Sequence, residues 1–372
     1  MSCIDDVEDR VGRLFTALAL VALLLMSISP STVAADGPDS TQVVRSAQLV
    51  RPVILPVVGP LTDPRAEVSG LTWKGDTLIV LPQDPELFGH DDVLGFFIIP
   101  KQEILDAISD ADRSSNSETN SRADNPIDPR QIKCIAPGLA RIIRGFDGLE
   151  AIGVQGNRCY MTIEAKDDTS MAGYLICGQF DMTQNLVRMD MAQLTAIPMG
   201  LNIHNIAEES LVIDGSRIIT LSEANGRNCN PEPRAKTFDE KTNFLGSLPF
   251  PNIEYRVTDA TALDEDRRFW VLNYFFPPER EKLQVGKDPE ISRFGRPPGQ
   301  DTEGCVERLL ELRITEHETI VRTNTPPLYL ELRPDGVCRN WEALVRLDNA
   351  GFLVMTDQYP GTLLAFVPNP YH

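Results

Sequence analysis

Residues 150–164 read EAIGVQGNRCYMTIE, and this short stretch contains the pattern that decides the fold. A glutamate opens an apolar run, Gly156-Asn157 supplies a turn, and a second β-rich run ends on another glutamate. Two such runs joined by a Gly/Asn turn are typical of a β-hairpin. Because the two ends of an antiparallel hairpin lie side by side, Glu150 and Glu164 are predicted to be neighbours.

The same template occurs five times along the chain. The hairpins start at Ser69, Glu150, Glu209, Asp259 and Glu342. Each ends 14 or 15 positions later on a polar residue, and these ends are Asp84, Glu164, Glu223, Asn273 and Asp357. Every repeat is therefore expected to bring two polar side chains to one end of a hairpin.

The repeats predict an all-β fold, in which residues 36–372 form a single β-propeller, because one small sheet cannot bury both of its faces without neighbours. Five hairpins indicate five blades, with six as the alternative. The run 47–58 has no hairpin of its own, so it is predicted to add an outermost strand to the last blade and close the ring. Polar stretches near 109–130 and 284–304 are predicted to be a disordered insertion and a loop insertion.

The N-terminal region contains the only long apolar run, at 14–28, and small residues follow it. This run is shorter than the ~20 residues that span a bilayer, so residues 1–35 are predicted to be a signal peptide. The acidic residues before the run depart from that pattern, and they leave open whether the leader is cleaved or retained as an anchor. We expect a secreted or periplasmic protein with no stable membrane span after cleavage.

Six cysteines remain after residue 35, an even set that suits disulfide bonds in an oxidising compartment. Cys159 and Cys177 lie on runs that resemble consecutive antiparallel strands, and they are predicted to pair. The alternative is that some cysteines are buried free thiols.

The composition is acidic, with 54 Asp and Glu against 35 Lys and Arg and a formal net charge of −19. Binding to nucleic acid depends on clustered cationic side chains, so nucleic acid is excluded as an expected partner.

Several of the hairpin motifs resemble those of the phytase-like β-propeller family, which is named for the esterase-like activity of phytase. The motifs are Ser69-Gly70-Leu71-Thr72, Ser222-Glu223, and Asp259 followed by Trp270-Val271-Leu272-Asn273, and the resemblance covers nearly all of residues 40–370. The pattern is also similar, more distantly, to that of the calcium-activated nucleotidases. That second resemblance implies a five-bladed propeller whose inner strands hold a central calcium ion through Ser and Glu residues.

If the first strand of each blade lines a central channel, the five hairpin starts form a ring at one mouth. Carboxylates that converge there repel one another, and either bound protons or a hard cation would relieve the repulsion. Calcium fits oxygen ligands from separate strands, so Ser69, Glu150, Glu209, Asp259 and Glu342 are the predicted metal ligands. The alternative is that these residues are solvated strand ends.

Two basic residues in loops on the same face, Lys166 and Arg227, are predicted to bind an anionic group of the substrate. The chain has no G-x-S-x-G motif, and no catalytic nucleophile is assigned. The functional hypothesis is a calcium-dependent hydrolase of a small anionic phosphate ester or another ester. The alternative is a non-catalytic extracellular propeller that recruits a protein or a glycan.

Overall fold

The computed structural model describes residues 46–115, 125–166, 170–298, 300 and 304–371. The predicted signal peptide at 1–35 lies outside the described residues. Most of the regular structure consists of β-strands, so the all-β class is confirmed.

Two short strands, β1 (Gln48–Val50) and β2 (Val53–Leu55), precede five strand units in the described residues. The first unit contains β3 (Val68–Lys74), β4 (Thr77–Pro82), β5 (Val93–Pro100) and β6 (Arg130–Ile135). The second unit contains β7 (Phe146–Gln155), β8 (Arg158–Lys166), β9 (Met171–Asp181) and β10 (Leu186–Ile197). The third unit contains β11 (Glu208–Asp214), β12 (Arg217–Ser222), β13 (Arg234–Phe238) and β14 (Phe244–Pro249).

The last two units differ from the first three in their number of strands. The fourth contains β15 (Arg256–Ala260), β16 (Arg268–Phe275), β17 (Val306–Ile314), β18 (Ile320–Arg322) and β19 (Leu328–Leu330). The fifth contains β20 (Trp341–Leu347), β21 (Gly351–Thr356) and β22 (Leu364–Pro368). The N-terminal strand β2 pairs antiparallel with β22, and β1 pairs parallel with β19.

The first two strands of each unit are the five hairpins that the sequence predicts, and all five pair antiparallel. In the first three hairpins a two-residue turn contains a glycine with a positive φ angle, at Gly75, Gly156 and Gly215. Glycine takes this conformation without strain, and such turns match the twist of the paired strands.

Neighbouring units meet through their first strands. The strand β3 contacts β7, β7 contacts β11, β11 contacts β15, β15 contacts β20, and β20 contacts β3. The core lies between adjacent units, where apolar side chains from the facing sheets pack together. These contacts support the β-propeller class.

Each hairpin contains a β-bulge, an extra residue in the first strand with no partner on the second. The bulged residues at or beside the predicted hairpin starts are Ser69, Glu150, Glu209, Thr258 and Glu342, and the second hairpin has a further bulge at Asp147. In four units the bulged residue is the predicted start of the hairpin. In the fourth unit it is Thr258, one position before the predicted start at Asp259.

In the part of the chain that the structure describes, α-helices interrupt the strands at three places: α1 (Lys101–Ser115), α2 (Leu139–Ile142) and α3 (Pro289–Phe294). The helix α1 includes the first part of the range 109–130 that was predicted to be disordered. Its Ile104 and Ala107 are buried and Ile108 packs beside them, which is the i, i+3, i+4 spacing of an apolar helix face. Among the described residues, none of the helices has the length and apolar character needed to cross a membrane.

The predicted disulfide between Cys159 and Cys177 is wrong. Cys177 lies opposite Tyr160 in the register of β8 and β9, so Cys159 and Cys177 point to opposite faces of the sheet. Both are free and buried, whereas Cys305 and Cys338 form a disulfide with their Cα atoms 5.5 Å apart. A disulfide is compatible with an oxidising compartment.

Candidate functional site

A cavity of about 650 Å³ lies at the hairpin ends that carry the bulges. Eight of its nineteen lining residues are acidic, against two that are basic. The acidic members are Glu67, Asp147, Glu150, Glu164, Glu209, Glu279, Glu342 and Asp357. The basic members are Lys166 and Arg256, and the remainder includes Gln83, Asn205, Tyr274, Phe276, Val337, Asn340, Gln358 and Tyr359.

Every hairpin start that reaches the cavity occupies a bulge, but not every bulged start reaches it. Of the five predicted metal ligands, Glu150, Glu209 and Glu342 line the cavity. All three occupy bulges, and a bulge redirects the side chain of its extra residue. The buried Ser69 occupies an equivalent bulge, but its hydroxyl donates to the backbone carbonyl of Glu67 at 3.3 Å.

Asp259 is placed differently because it follows the bulge of its own unit. Its carboxylate accepts hydrogen bonds from the backbone amides of Ala260 at 2.7 Å and Leu344 at 2.7 Å. The side chain is buried and ties β15 to the first strand of the fifth unit. Thr258 holds the equivalent bulge and donates to the backbone carbonyl of Trp341 at 3.0 Å.

The residues that end the hairpins have separate roles. Glu164 and Asp357 line the cavity, while Glu223 is buried beside Arg256. Asn273 donates to the backbone carbonyls of Glu254 and Arg256 at 3.0 and 2.8 Å, so it fixes the start of β15.

An arginine that the sequence reasoning missed lies among the carboxylates. Arg256 is only 6% exposed, and its Nε atom approaches Glu223 Oε1 at 2.7 Å and Glu279 Oε2 at 3.0 Å. Both approaches are too oblique for a linear hydrogen bond, so these contacts are chiefly electrostatic. Its Nη2 atom donates to Glu279 Oε1 at 3.1 Å, and its Nη1 atom lies 3.8 Å from Glu342 Oε1.

A weak signal for Arg256 exists in the sequence. It lies two positions before the bulge of its unit, and Glu67 and Asn340, which also line the cavity, hold the same position in theirs. The equivalence of Arg256 to Glu67 and Asn340 becomes visible only when the bulge of the fourth unit is known to lie at Thr258.

The buried carboxyl groups resist ionisation. Burial, followed by the charge of neighbouring carboxylates, raises the pKa of Glu150, Glu209 and Glu342 well above the usual range. Burial also raises the pKa of Glu223, although the charge of Arg256 opposes this shift. The raised pKa values favour the protonated forms, and one guanidinium lies among these groups, so both oppose the repulsion that the sequence predicts.

Two less buried carboxyl groups titrate closer to neutral pH. Burial and the charge of Glu223 raise the pKa of Glu164 to about 7. Burial and the charge of Glu67 raise the pKa of Asp357 to about 6, while a hydrogen bond from Asn340 opposes the shift. The same Asn340 amide donates to Glu342 at 2.9 Å and to Asp357 at 2.8 Å, so it holds these two carboxyl groups together.

Only one of the two predicted substrate-binding residues lines the cavity. Lys166 lines the cavity, where its ammonium group forms an ion pair with Asp147 and lies 3.4 Å from the Asn205 side-chain oxygen. Arg227 is exposed and is not part of the cavity lining.

The residues as arranged do not fit the predicted calcium ion. Ser69 and Asp259 bond to the protein backbone, and the guanidinium of Arg256 approaches Glu342, a predicted ligand. Among the described residues, no three His, Cys, Asp or Glu side chains are grouped so that they could hold a metal ion. Calcium binding stays a prediction.

One side of the cavity is apolar and exposed. Phe276, Val337 and Tyr359 belong to its lining, and they are 43%, 37% and 51% exposed. All three come from loops of the fourth and fifth units. The Cys305–Cys338 disulfide fixes the residue next to Val337, and Asn340 donates its backbone N–H to the carbonyl of Tyr359 at 3.1 Å.

Comparison with known proteins gives similarity only to solved structures. No family model and no curated protein matches the chain. A GH130-family glycoside hydrolase structure is 8% identical, with a TM-score of 0.48 over 88% of this chain and 95% of that one. A GH32 β-fructofuranosidase from Bombyx mori is 10% identical, with a TM-score of 0.44 over 84% and 61%. The soluble aldose sugar dehydrogenase from Escherichia coli is 11% identical, with a TM-score of 0.40 over 84% and 99%. At these values no activity can be transferred to this chain.

Proposed function

We propose that the protein is a hydrolase of glycosidic bonds whose active site is the acidic cavity. The observation that carries this proposal is the convergence of Glu150, Glu164, Glu209, Glu342 and Asp357 on one cavity. Among the described residues that line it, none is a histidine, a serine or a free cysteine. Glycoside hydrolysis is a hydrolytic reaction that needs only a pair of carboxyl groups.

Two carboxyl groups suit the acid–base chemistry of that reaction. A general acid must be protonated near the working pH, and the raised pKa of Glu164, caused mainly by burial, meets this requirement. The pKa of Asp357 is raised less far than that of Glu164, so Asp357 ionises more readily and is the candidate for the base. The pairing follows the rule that acid and base differ by their environments.

The charge of the cavity favours a neutral substrate. Eight acidic side chains line it against two basic ones. Lys166 is paired with Asp147, and Arg256 contacts Glu223 and Glu279. A phosphate group would therefore meet repulsion with no uncommitted cation among these residues, whereas the hydroxyl groups of a sugar can both donate to and accept from carboxyl groups.

The apolar side of the cavity gives a surface for the substrate ring. Large exposed apolar side chains beside a polar cavity are typical of a binding site. Phe276 and Tyr359 would pack against the C–H face of a sugar while the carboxyl groups bind its hydroxyl groups.

The test is turnover of a panel of 4-nitrophenyl glycosides by the purified protein. We expect activity on at least one glycoside, and a loss of about 10²–10⁴-fold in kcat for Glu164→Gln. Glu232→Gln makes the same chemical change at an exposed site outside the cavity and is expected to leave kcat unchanged.

The same protein should be assayed on phosphate monoesters, phosphate diesters and carboxylic esters with calcium and with EDTA. EDTA-sensitive turnover of these esters, with none of the glycosides, would favour the calcium-dependent ester hydrolase that the sequence predicts. No turnover of either panel, together with a stoichiometric protein or glycan partner, would favour the non-catalytic binding propeller.

We also propose that the five units are the blades of one five-bladed propeller. The contacts between first strands, which run from β3 through β20 and back to β3, support this count. The pairing of β2 with β22 supports closure of the ring by the N-terminal strand.

A further inference from the structure

We propose that Arg256 is the resident cation of the carboxylate ring, and that removing its charge converts the floor of the cavity into a binding site for a divalent cation. The inference concerns cation binding and is independent of the proposed glycosidase activity.

The contacts of Arg256 come from three units. Glu223 ends the hairpin of the third unit, Glu279 follows β16 in the fourth, and Glu342 occupies the bulge of the fifth. Their carboxylate oxygens lie 2.7, 3.0 and 3.8 Å from guanidinium nitrogens. One guanidinium therefore lies among carboxylates that come from three units.

The position of Arg256 is fixed by the backbone as well as by charge. The Asn273 amide donates to its carbonyl at 2.8 Å, and its backbone forms a bridge with Ala224 of the third unit. The guanidinium also donates to the carbonyl of Asn205 at 3.3 Å. Uncharged groups thus fix the backbone of Arg256, and one neutral hydrogen bond adds to the carboxylate contacts that hold its side chain.

Loss of the guanidinium would leave carboxylates from separate strands around an uncharged space. A buried carboxylate that loses its partner is strongly unfavourable, and either a proton or a new cation would relieve this cost. Calcium accepts six to eight oxygen ligands in flexible geometry, whereas magnesium requires a near-ideal octahedron. The vacated position is therefore expected to prefer calcium.

The experiment compares thermal unfolding of the wild type and Arg256→Met with and without calcium. Wild type should keep its Tm when calcium is added. Arg256→Met should unfold at a lower temperature, and calcium at a hundredfold excess over its Kd should raise its Tm by about 4 °C. Magnesium should raise the Tm of this variant less, and EDTA should reverse both effects.

The matched control is Arg322→Met. Arg322 is also a largely buried arginine, and its guanidinium donates to the Glu290 carboxylate at 2.9 and 2.7 Å. Neither residue belongs to the cavity lining. Its replacement should lower the Tm with no recovery in calcium. Recovery of both variants would show a non-specific effect and would overturn the proposal.

Two further results would overturn it. One is a calcium-dependent rise in the wild-type Tm that Glu209→Gln abolishes, because the ring would then hold a metal beside Arg256. The other is a folded Arg256→Met that shows no response to calcium.

If Arg256→Met fails to fold without calcium, the paired variant Arg256→Met/Glu223→Gln removes one buried charge together with its partner. It should fold without calcium, and its failure in both conditions would refute the role of charge.

Discussion

The bulged residue at the start of each hairpin determines whether that position adds a carboxyl group to the cavity. Where the bulge holds a glutamate, at Glu150, Glu209 and Glu342, a carboxyl group enters the cavity. Where it holds a hydroxyl residue, Ser69 or Thr258, the side chain bonds to the backbone instead. The acidity of the site therefore depends on side-chain length and charge at an equivalent backbone position.

Glu164→Gln should flatten the dependence of stability on pH. Burial raises the pKa of Glu164 to about 7 from a usual value of 4.5, so the folded state holds this proton over a range where the unfolded state has lost it. Its stabilising effect is complete below about pH 4.5 and is lost as the pH rises through 7, at a cost of the order of 1–3 kcal/mol.

Glutamine mimics the protonated form, so the variant should lose less stability between about pH 5 and pH 8 in urea unfolding. Glu232→Gln should follow the wild-type curve. A variant at Glu164 that loses as much stability as the wild type would mean that its carboxyl group titrates at a normal pH.

At the scale of elements, loops that carry the apolar side of the cavity are fastened to the strands beneath them. The Cys305–Cys338 disulfide links the start of β17 to the loop before β20, and Arg339 of that loop binds the buried Glu307 at 3.0 Å. Asp335 accepts a hydrogen bond from the backbone N–H of Val337 at 3.1 Å. These contacts hold Val337 in its exposed position without burial.

Replacing both Cys305 and Cys338 with serine should lower the free energy of unfolding by about 3–4 kcal/mol, because the bond closes a loop with a sequence separation of 33 residues. Urea unfolding measures the change. Reductant should lower the stability of the wild type and leave this variant unaffected. The buried Cys159→Ser variant should still respond to reductant, and loss of its response would show that Cys159 takes part in a disulfide.

At the scale of the whole molecule, residues distant in sequence complete one sheet. The strand β2, near the start of the described chain, pairs with β22 near its end. Leu55 of β2 is 1% exposed and packs in the core between the first and fifth units, whereas Ile54 points outward and is 44% exposed. We therefore expect the stability of the last unit to depend on the N-terminal strand.

Leu55→Ala should lower the free energy of unfolding by about 2–5 kcal/mol, which is the usual effect of emptying a buried leucine site. Ile54→Ala, on the exposed face of the same strand, should have a much smaller effect. Urea unfolding of the two variants checks the difference. Equal small effects would show that β2 is not a stable member of the fifth unit.

The sequence alone determined the five hairpins, the all-β class and the presence of acidic residues at one end. These features depend on local patterns, namely turn residues, alternating β-rich runs and a repeated spacing, all of which lie within about fifteen residues of one another.

Only the tertiary structure decided which residues share the cavity. A bulge shifts side chains by one position, and this shift placed Asp259 in a contact between units instead of in the ring. No local pattern encodes the contacts between units that place Arg256 in the cavity lining, leave Arg227 outside it and pair Cys305 with Cys338. The helix α1 was missed because its apolar face is narrow and lies within a strongly polar stretch. The placement of a guanidinium among the carboxylates depends on the combined charge and burial of side chains from three units. These side chains come together only when the units have folded against one another.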